Sequence, residues 1–332
     1  MATMESIAQA LGLSKATVSK ALSGAEDVGE KTRLTVLKKA EELGYSKPRR
    51  RAVLGTLAVF VINMEYEKPD DFGYDIIAGF RKAAEPVGYR VKVVPLNLKT
   101  QRECGYDDYM ADHGFCGGLL LGLDLLCPWL QEFAESSVPA VLYDNHVGGN
   151  ANVTHVGVDN DEGMEMAVKY LKSLHHIRIG YLSGTLNSYV YRQRLEAFFR
   201  ALRENGLTAD RELMGHADHT SECLSKHLPR LLERGCTAIV CSHDMLAHSV
   251  MVHCAERGLR IPEDLSILGY DDIPLCRYTV PPLTTIRQDR TALGKSSFYA
   301  LSSQLARVHL STHLLHPALI ERASCAAPQR KE

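Results

Sequence analysis

The run Gly12-Leu13-Ser14-Lys15-Ala16-Thr17-Val18-Ser19-Lys20 places hydroxyls and ammonium groups at the start of a helix-forming segment. Exposed N–H groups at a helix N-terminus, joined by Lys15, Ser19 and Lys20, suit phosphates and base edges in a major groove. Lysine donates to guanine acceptors, and Ala16 fits a thymine methyl. Other constellations carry less chemistry. Gly117-Gly118 lacks the order of a dinucleotide-binding Gly-x-Gly-x-x-Gly loop, and no Gly-x-Ser-x-Gly elbow occurs. His309, His313 and His316 would share a helix face, but Pro317 ends the run and no carboxylate or cysteine sits at matching spacing, so surface histidines are expected. His243, His248 and His253 recur every five residues and share no helix face. Nine cysteines are scattered with no Cys-x-x-Cys, which points to reduced thiols. Nothing poses a nucleophile beside a base. The expectation is a protein that is not an enzyme and needs neither metal nor cofactor.

The elements that must position these groups fall into two textures. Residues 3–44 read as three short helices. Thr3 caps the first, with Ile7, Ala8 and Leu11 on one apolar face, and Gly12 breaks it. Ser14 caps the second, with Val18 and Leu22 facing inward, and Ser23-Gly24 ends it. The third runs from Glu30 to Leu43 with Leu34, Leu37, Ala40 and Leu43 as its stripe, from a tolerable Gly29 cap to Gly44. Pro48 and Arg49-Arg50-Arg51 mark a linker. After Val53, apolar strand-like runs (54–62, 90–94, 118–121, 140–143, 155–158, 177–182, 238–241 and 265–269) alternate with amphipathic segments such as 74–86, 162–174, 192–205 and 245–257. That alternation reads as right-handed βαβ units in two doubly wound parallel sheets, whose ligands bind beyond the strand C-termini.

The length of 332 residues suits two or three folding units. The formal charge of −2 conceals an asymmetry: residues 1–51 hold ten Lys/Arg against six Asp/Glu, a net +4, and the remaining 281 residues carry −6. A basic head on an acidic body implies two tasks, one of them near phosphates. No apolar run reaches the roughly 18–20 residues of a membrane span. The N-terminus has no basic region leading into an apolar one, so a cytoplasmic address is expected.

Ala8, then 12–20, then Lys39-Ala40-Glu41-Glu42-Leu43-Gly44-Tyr45 closely resemble the headpiece of lactose-repressor-type (LacI/GalR) regulators. Val156-Gly157-Val158-Asp159-Asn160, Arg192-Gln193-Arg194-Leu195-Glu196-Ala197-Phe198, Ile261–Pro274 and Pro281–Gln288 resemble that family's body, in order along nearly the whole chain. The resemblance implies an all-α helix-turn-helix DNA-binding domain (1–46), a hinge (47–53) and an effector-binding and dimerisation domain (54–332) of the periplasmic-binding-protein type. The body's N-subdomain would span 54–155 and 286–316, and its C-subdomain 156–285 and 317–325. A homodimer on a pseudo-palindromic operator is implied, and the ten residues after Arg322, without heptads, give no tetramerising coiled coil.

The resemblance also carries over candidate residues. Thr3, Ser14, Lys15, Ala16, Thr17, Ser19 and Lys20 would meet DNA. Asp144, Arg192, His243, Asp271 and Gln288 would meet a polyhydroxylated effector, with Phe72 and Tyr74 flanking a sugar ring. Arg192 and Asp271 stand first. Asp159 is read as a crossover or cap, Asp272 as a turn or cap. The departures are a link shorter by about two helical turns, His243-Asp244 where Asn-Asp is frequent, and Ser23 in place of Asn. With the hinge helix so shortened, Lys47 and Arg49, Arg50 and Arg51 are expected to hold the DNA backbone electrostatically. The expected function is a transcriptional repressor tuned by a carbohydrate-like effector. The alternatives are a body answering to a protein co-repressor, or a sugar-binding protein with no role at DNA. Finding most of Asp144, Arg192, Asp271 and Gln288 outside the cleft would favour the co-repressor.

Overall fold

The computed structural model describes residues 3–23, 25, 27–45 and 53–329 and divides into two compact units, 1–52 and 53–332. Lys47 and Arg49–Arg51 lie outside the described residues.

In the head, helix α1 (Met4–Leu11) begins with a capping box: the Ser6 amide donates to Thr3 Oγ1 (3.2 Å) and the Thr3 amide to Ser6 Oγ (2.9 Å). Gly12, at φ +65°, ends it in a left-handed conformation that costs glycine little. Helix α2 (Lys15–Ser23) starts on Ser14, whose Oγ accepts the Thr17 amide at 3.0 Å. Helix α3 (Glu30–Glu42) completes the trio. Ile7, Ala8, Val18, Ala21, Val36 and Ala40 form the buried core. The expected stripe of α3 is thereby corrected. Its buried side chains are Val36 and Ala40, one turn apart, whereas Leu34, Leu37 and Leu43 are exposed. The 3.6-residue period fits either face, and contact with α1 and α2 selects the Val36–Ala40 face.

The body opens with β1 (Gly55–Val61), α4 (Phe72–Ala84), β2 (Tyr89–Pro95), α5 (Leu98–Glu103), α6 (Tyr106–Asp112), β3 (Phe115–Leu121), α7 (Pro128–Glu132), β4 (Ala140–Tyr143) and β5 (Val153–Val158). It continues with α8 (Asn160–Ser173), β6 (Ile179–Ser183), α9 (Tyr189–Glu204), β7 (Met214–His216), α10 (Thr220–Glu222), α11 (Leu228–Glu233), β8 (Ala238–Cys241), α12 (Asp244–Glu256), β9 (Ser266–Asp271) and β10 (Thr284–Arg287). Helix α13 (Arg290–Leu305), β11 (Thr312–Leu315) and β12 (Ala318–Ile320) follow. One six-stranded sheet has the order β11-β5-β4-β3-β1-β2, the other β12-β10-β9-β8-β6-β7. Pairing is parallel except for β12 on β10.

Both sheets reverse their winding beside the first strand, between β1 and β3 and between β6 and β8, which opens a crevice at the strand C-termini. The chain passes between the sheets three times, at Asp159, at Gln288-Asp289 and at His316-Pro317. The expected subdomain limits shift accordingly. Pairing with β4 and β11 carries the first sheet to Val158 instead of 155, and β10, which straddles 285/286, belongs wholly to the second sheet. The three spaced histidines share no helix, because 312–315 is a strand; His309 bonds the Ala151 carbonyl (2.7 Å) and His316 pairs with Glu162 (2.6 Å).

Helices α4 and α13 lie almost backbone to backbone. A Cβ on Gly79 would sit 2.2 Å from the Thr291 carbonyl oxygen, and one on Gly294 would sit 2.0 Å from that of Ile76. Asp75 and Arg290 pair across the same crossing at 3.0 Å. This crossing sets Phe72, at the start of α4, and Gln288, just before α13, relative to the crevice.

Candidate functional site

On the head, Lys15, Ala16 and Lys20 are exposed along the first two turns of α2, while Thr17 and Ser19 are half-buried. Lys15 reaches Glu5 at 3.2 Å, and Lys20 pairs with Asp27. Exposed pairs of this kind contribute about 0–1 kcal/mol, so a phosphate can displace them. The Ser14 hydroxyl is engaged by the Thr17 amide and by Thr17 Oγ1 (2.8 Å), and Thr3 by its capping box. These hydroxyls build the helix starts, leaving the lysines, Ala16 and the opening of α2 as the outward chemistry.

In the body, a cleft of about 570 Å³ lies where the two sheets present their strand C-termini. Asn63 and Met64 follow β1, Gly122 to Asp124 follow β3, and Tyr143-Asp144 ends β4. Opposite them stand Thr185 and Ser188 after β6, Tyr191 and Arg194 from α9, His243 after β8 and Asp271 ending β9. Gln288, on the middle crossover, sits between the walls. Three of the lining residues other than glycine have positive φ: Asn63 (50°), Asp144 (51°) and Asp271 (116°). Such conformations concentrate at functional sites.

A polar network joins the walls. Tyr143 donates to Gln288 Oε1 (3.2 Å), and Gln288 Nε2 donates to Asp271 Oδ1 (2.6 Å). Arg194 Nη1 donates to the same oxygen (3.4 Å) and to the Ser242 carbonyl (2.6 Å), and its Nε donates to Asn160 Oδ1 (3.1 Å). The guanidinium carbon lies 3.7 Å from the centroid of the Tyr270 ring. Nε and Nη1 of Arg194 are thus committed, and the residue lines the cleft. Asp144 Oδ1 is shut off from solvent with no hydrogen-bond partner. Burial, opposed by the Arg194 charge, pushes the Asp144 carboxyl up to about 6. Burial raises Asp271 as well.

Of the residues expected at the effector, Phe72, Asp144, His243, Asp271 and Gln288 line the cleft. Arg192 and Tyr74 do not. Arg192 is exposed and bonded to the Leu186 carbonyl, and Arg194 takes the inward position. Two residues along a helix turn a side chain by about 200°, so only one of these arginines can face the cleft. The same rotation sends Tyr74 outward from Phe72. The signal for Arg194 is present in the sequence: it lies three and four residues before Ala197 and Phe198, on the buried face of α9. Asp159 caps α8 by accepting the Glu162 amide (3.0 Å). Asp272 is more than a turn residue, since it binds Arg287 (2.7 Å) and Arg322 (2.5 Å).

His243 caps α12, its Nδ1 accepting the Leu246 amide at 3.2 Å, and its ring stacks on Tyr191 (centroids 5.4 Å apart). Burial, reinforced by Arg194, holds the imidazole down to about 4 from an ordinary 6.5. Below pH 6.5 the unfolded chain therefore binds a proton that the folded chain refuses until about pH 4, so stability is full above 6.5 and falls with pH across that window. His155, held down to about 4 by burial and by His146, steepens the same limb. Asp144, raised to about 6, acts in the opposite sense, its stabilising effect fading as pH rises from 3.8. His243→Asn is expected to flatten the decline of Tm across this window, and an unchanged slope would remove His243 from the account.

The comparisons agree with this architecture. Residues 3–47 match the family described as "Bacterial regulatory proteins, lacI family", and residues 168–325 match "Periplasmic binding protein-like domain". The chain is 32% identical to the HTH-type transcriptional repressor CytR of Escherichia coli (strain K12), over 98% of this chain and 97% of the relative. Among solved structures, the transcriptional regulator CelR–cellobiose complex is 26% identical, with a TM-score of 0.70 over 98% of this chain and 100% of that one. The lac repressor dimer bound to operator and the anti-inducer ONPF is 25% identical, with a TM-score of 0.68 over 98% and 99%. These relatives are regulators and not enzymes. From its headpiece to the end of its second sheet the chain belongs to the LacI family of bacterial regulatory proteins, as a DNA-binding transcriptional regulator.

Proposed function

We propose that this regulator is a repressor whose hold on double-stranded operator DNA is set by a small carbohydrate-like effector in the body's cleft, and that it works as a homodimer in the cytoplasm. The observation that carries this reading is the unsatisfied carboxyl oxygen Asp144 Oδ1, together with Asp271, Gln288 and the buried Arg194 guanidinium, in a cleft of sugar-sized volume. Cellobiose in the CelR complex supports the ligand class. Asp144, Asp271 and Gln288 line the cleft and Arg194 stands in for Arg192, which favours a small ligand over a protein co-repressor. A dimer follows from the few base pairs one short head can read. It is supported by the exposed Val280 (93%) and Tyr278 (78%), apolar groups that a second copy would cover. No described helix is long and apolar enough to cross a membrane.

The test is operator binding by the full chain, on a duplex selected from a random pool, with and without sugars that raise its Tm. A coupling of about 1–3 kcal/mol predicts a change in affinity of roughly 5–150-fold. DNA binding that no stabilising sugar alters would count against the effector.

The linker carries a separate expectation. Replacing Arg49, Arg50 and Arg51 with alanine should weaken operator binding and flatten the dependence of log Kobs on log salt, by roughly 0.9 for each phosphate no longer neutralised. An unchanged slope would assign DNA binding to the helices alone.

A further inference from the structure

The walls of the cleft are unequal in charge. Glu65, Asp70, Asp71, Asp124, Asp144 and Asp271 line it, and Arg194 is the only lysine or arginine among the described lining residues. Arg194 is already paired with Asp271. Negative potential is focused in a concave site with low-dielectric walls, so an anionic group entering here meets six acidic side chains, with no second lysine or arginine among the described lining residues to offset them.

His243 sharpens this. Its Nδ1 accepts the Leu246 amide, so the neutral ring carries its proton on Nε2, at the cleft side. Stacking on Tyr191 holds the ring in that orientation. The cleft therefore offers one fixed donor at His243 Nε2 and, in the Asp144 carboxyl that lines it, an acceptor whose Oδ1 is buried without a partner.

We infer that the effector is an uncharged sugar that presents an acceptor oxygen to His243 and a hydroxyl donor to Asp144, and that sugar phosphates and sugar acids are excluded. This rests on the carbohydrate reading above. Hydroxyl oxygens serve both roles, whereas a phosphate or carboxylate adds a charge the cleft cannot pair.

The test is calorimetric titration of the full chain with matched sugars: glucose against glucose 6-phosphate, ribose against ribose 5-phosphate, galactose against galacturonate, with cellobiose alongside. At least one uncharged sugar is expected to bind, and its anionic counterpart to bind about tenfold or more weakly, on the scale of one charge interaction. Asp144→Asn is expected to narrow that ratio and His243→Ala to weaken the uncharged sugar. ¹⁵N-histidine spectra should show His243 as the neutral Nε2–H tautomer. Equal or tighter binding of the anionic member, or an Nδ1–H ring at His243, overturns the inference and leaves the carbohydrate reading standing. Binding by no sugar in either arm overturns the carbohydrate reading, and the inference with it.

Discussion

Replacing Arg194 with alanine is expected to lower the unfolding free energy by about 3–5 kcal/mol and to abolish any response to effector. The side chain is 2% exposed and ties α9 to three other parts of the second subdomain: β9 through Asp271 and the Tyr270 ring, the Ser242 carbonyl after β8, and Asn160 at the start of α8. Its removal leaves the Asp271 carboxylate buried beside a void, and truncating one partner of a buried pair is costly for that reason. Lysine is a poor rescue, because an ammonium cannot reproduce a planar fork that donates in three directions. Arg192→Ala, two residues away on the exposed side of α9, should fall within about 0.5 kcal/mol of the parent. Urea denaturation of the full chain reads both variants, and equal destabilisation would refute the assignment of Arg194 as the inward arginine.

Gly294→Ala is the second large expected effect, a destabilisation of about 3 kcal/mol. The added methyl would meet the Ile76 carbonyl oxygen at 2.0 Å and the Phe80 amide nitrogen at 2.8 Å. Both are backbone atoms of α4, so no side-chain rotation relieves the clash and the helices must separate. That separation also pulls Phe72 away from Gln288 and strains the Asp75–Arg290 pair. Sugar affinity should therefore drop along with Tm. A variant that keeps both would show that α4 and α13 can part without disturbing the cleft.

These variants mark where the primary structure is readable and where it is not. The starts of α1 and α2 are legible because a cap is a local contract: Thr3 and Ser14 satisfy amides three residues ahead, whatever the rest of the chain does. The runs at 140–143 and 238–241 are legible because central parallel strands are buried on both faces and are continuously apolar. The short strands β7, β10, β11 and β12 are not. β10 reads Thr-Thr-Ile-Arg, and its buried hydroxyls are acceptable only because Asp244 and the Arg322 amide, distant in sequence, bond them.

By itself, the chain's order of residues determined a basic three-helix head, an alternating two-sheet body and the positions of Asp144 and Asp271 at strand ends, because periodicity, caps and strand termini are local properties. The tertiary structure decided which of two neighbouring arginines enters the cleft, which face of α3 is covered and which nitrogen of His243 holds the proton. Each of those depends on a partner far along the chain or on a rotation of about 200° that sequence spacing alone leaves open.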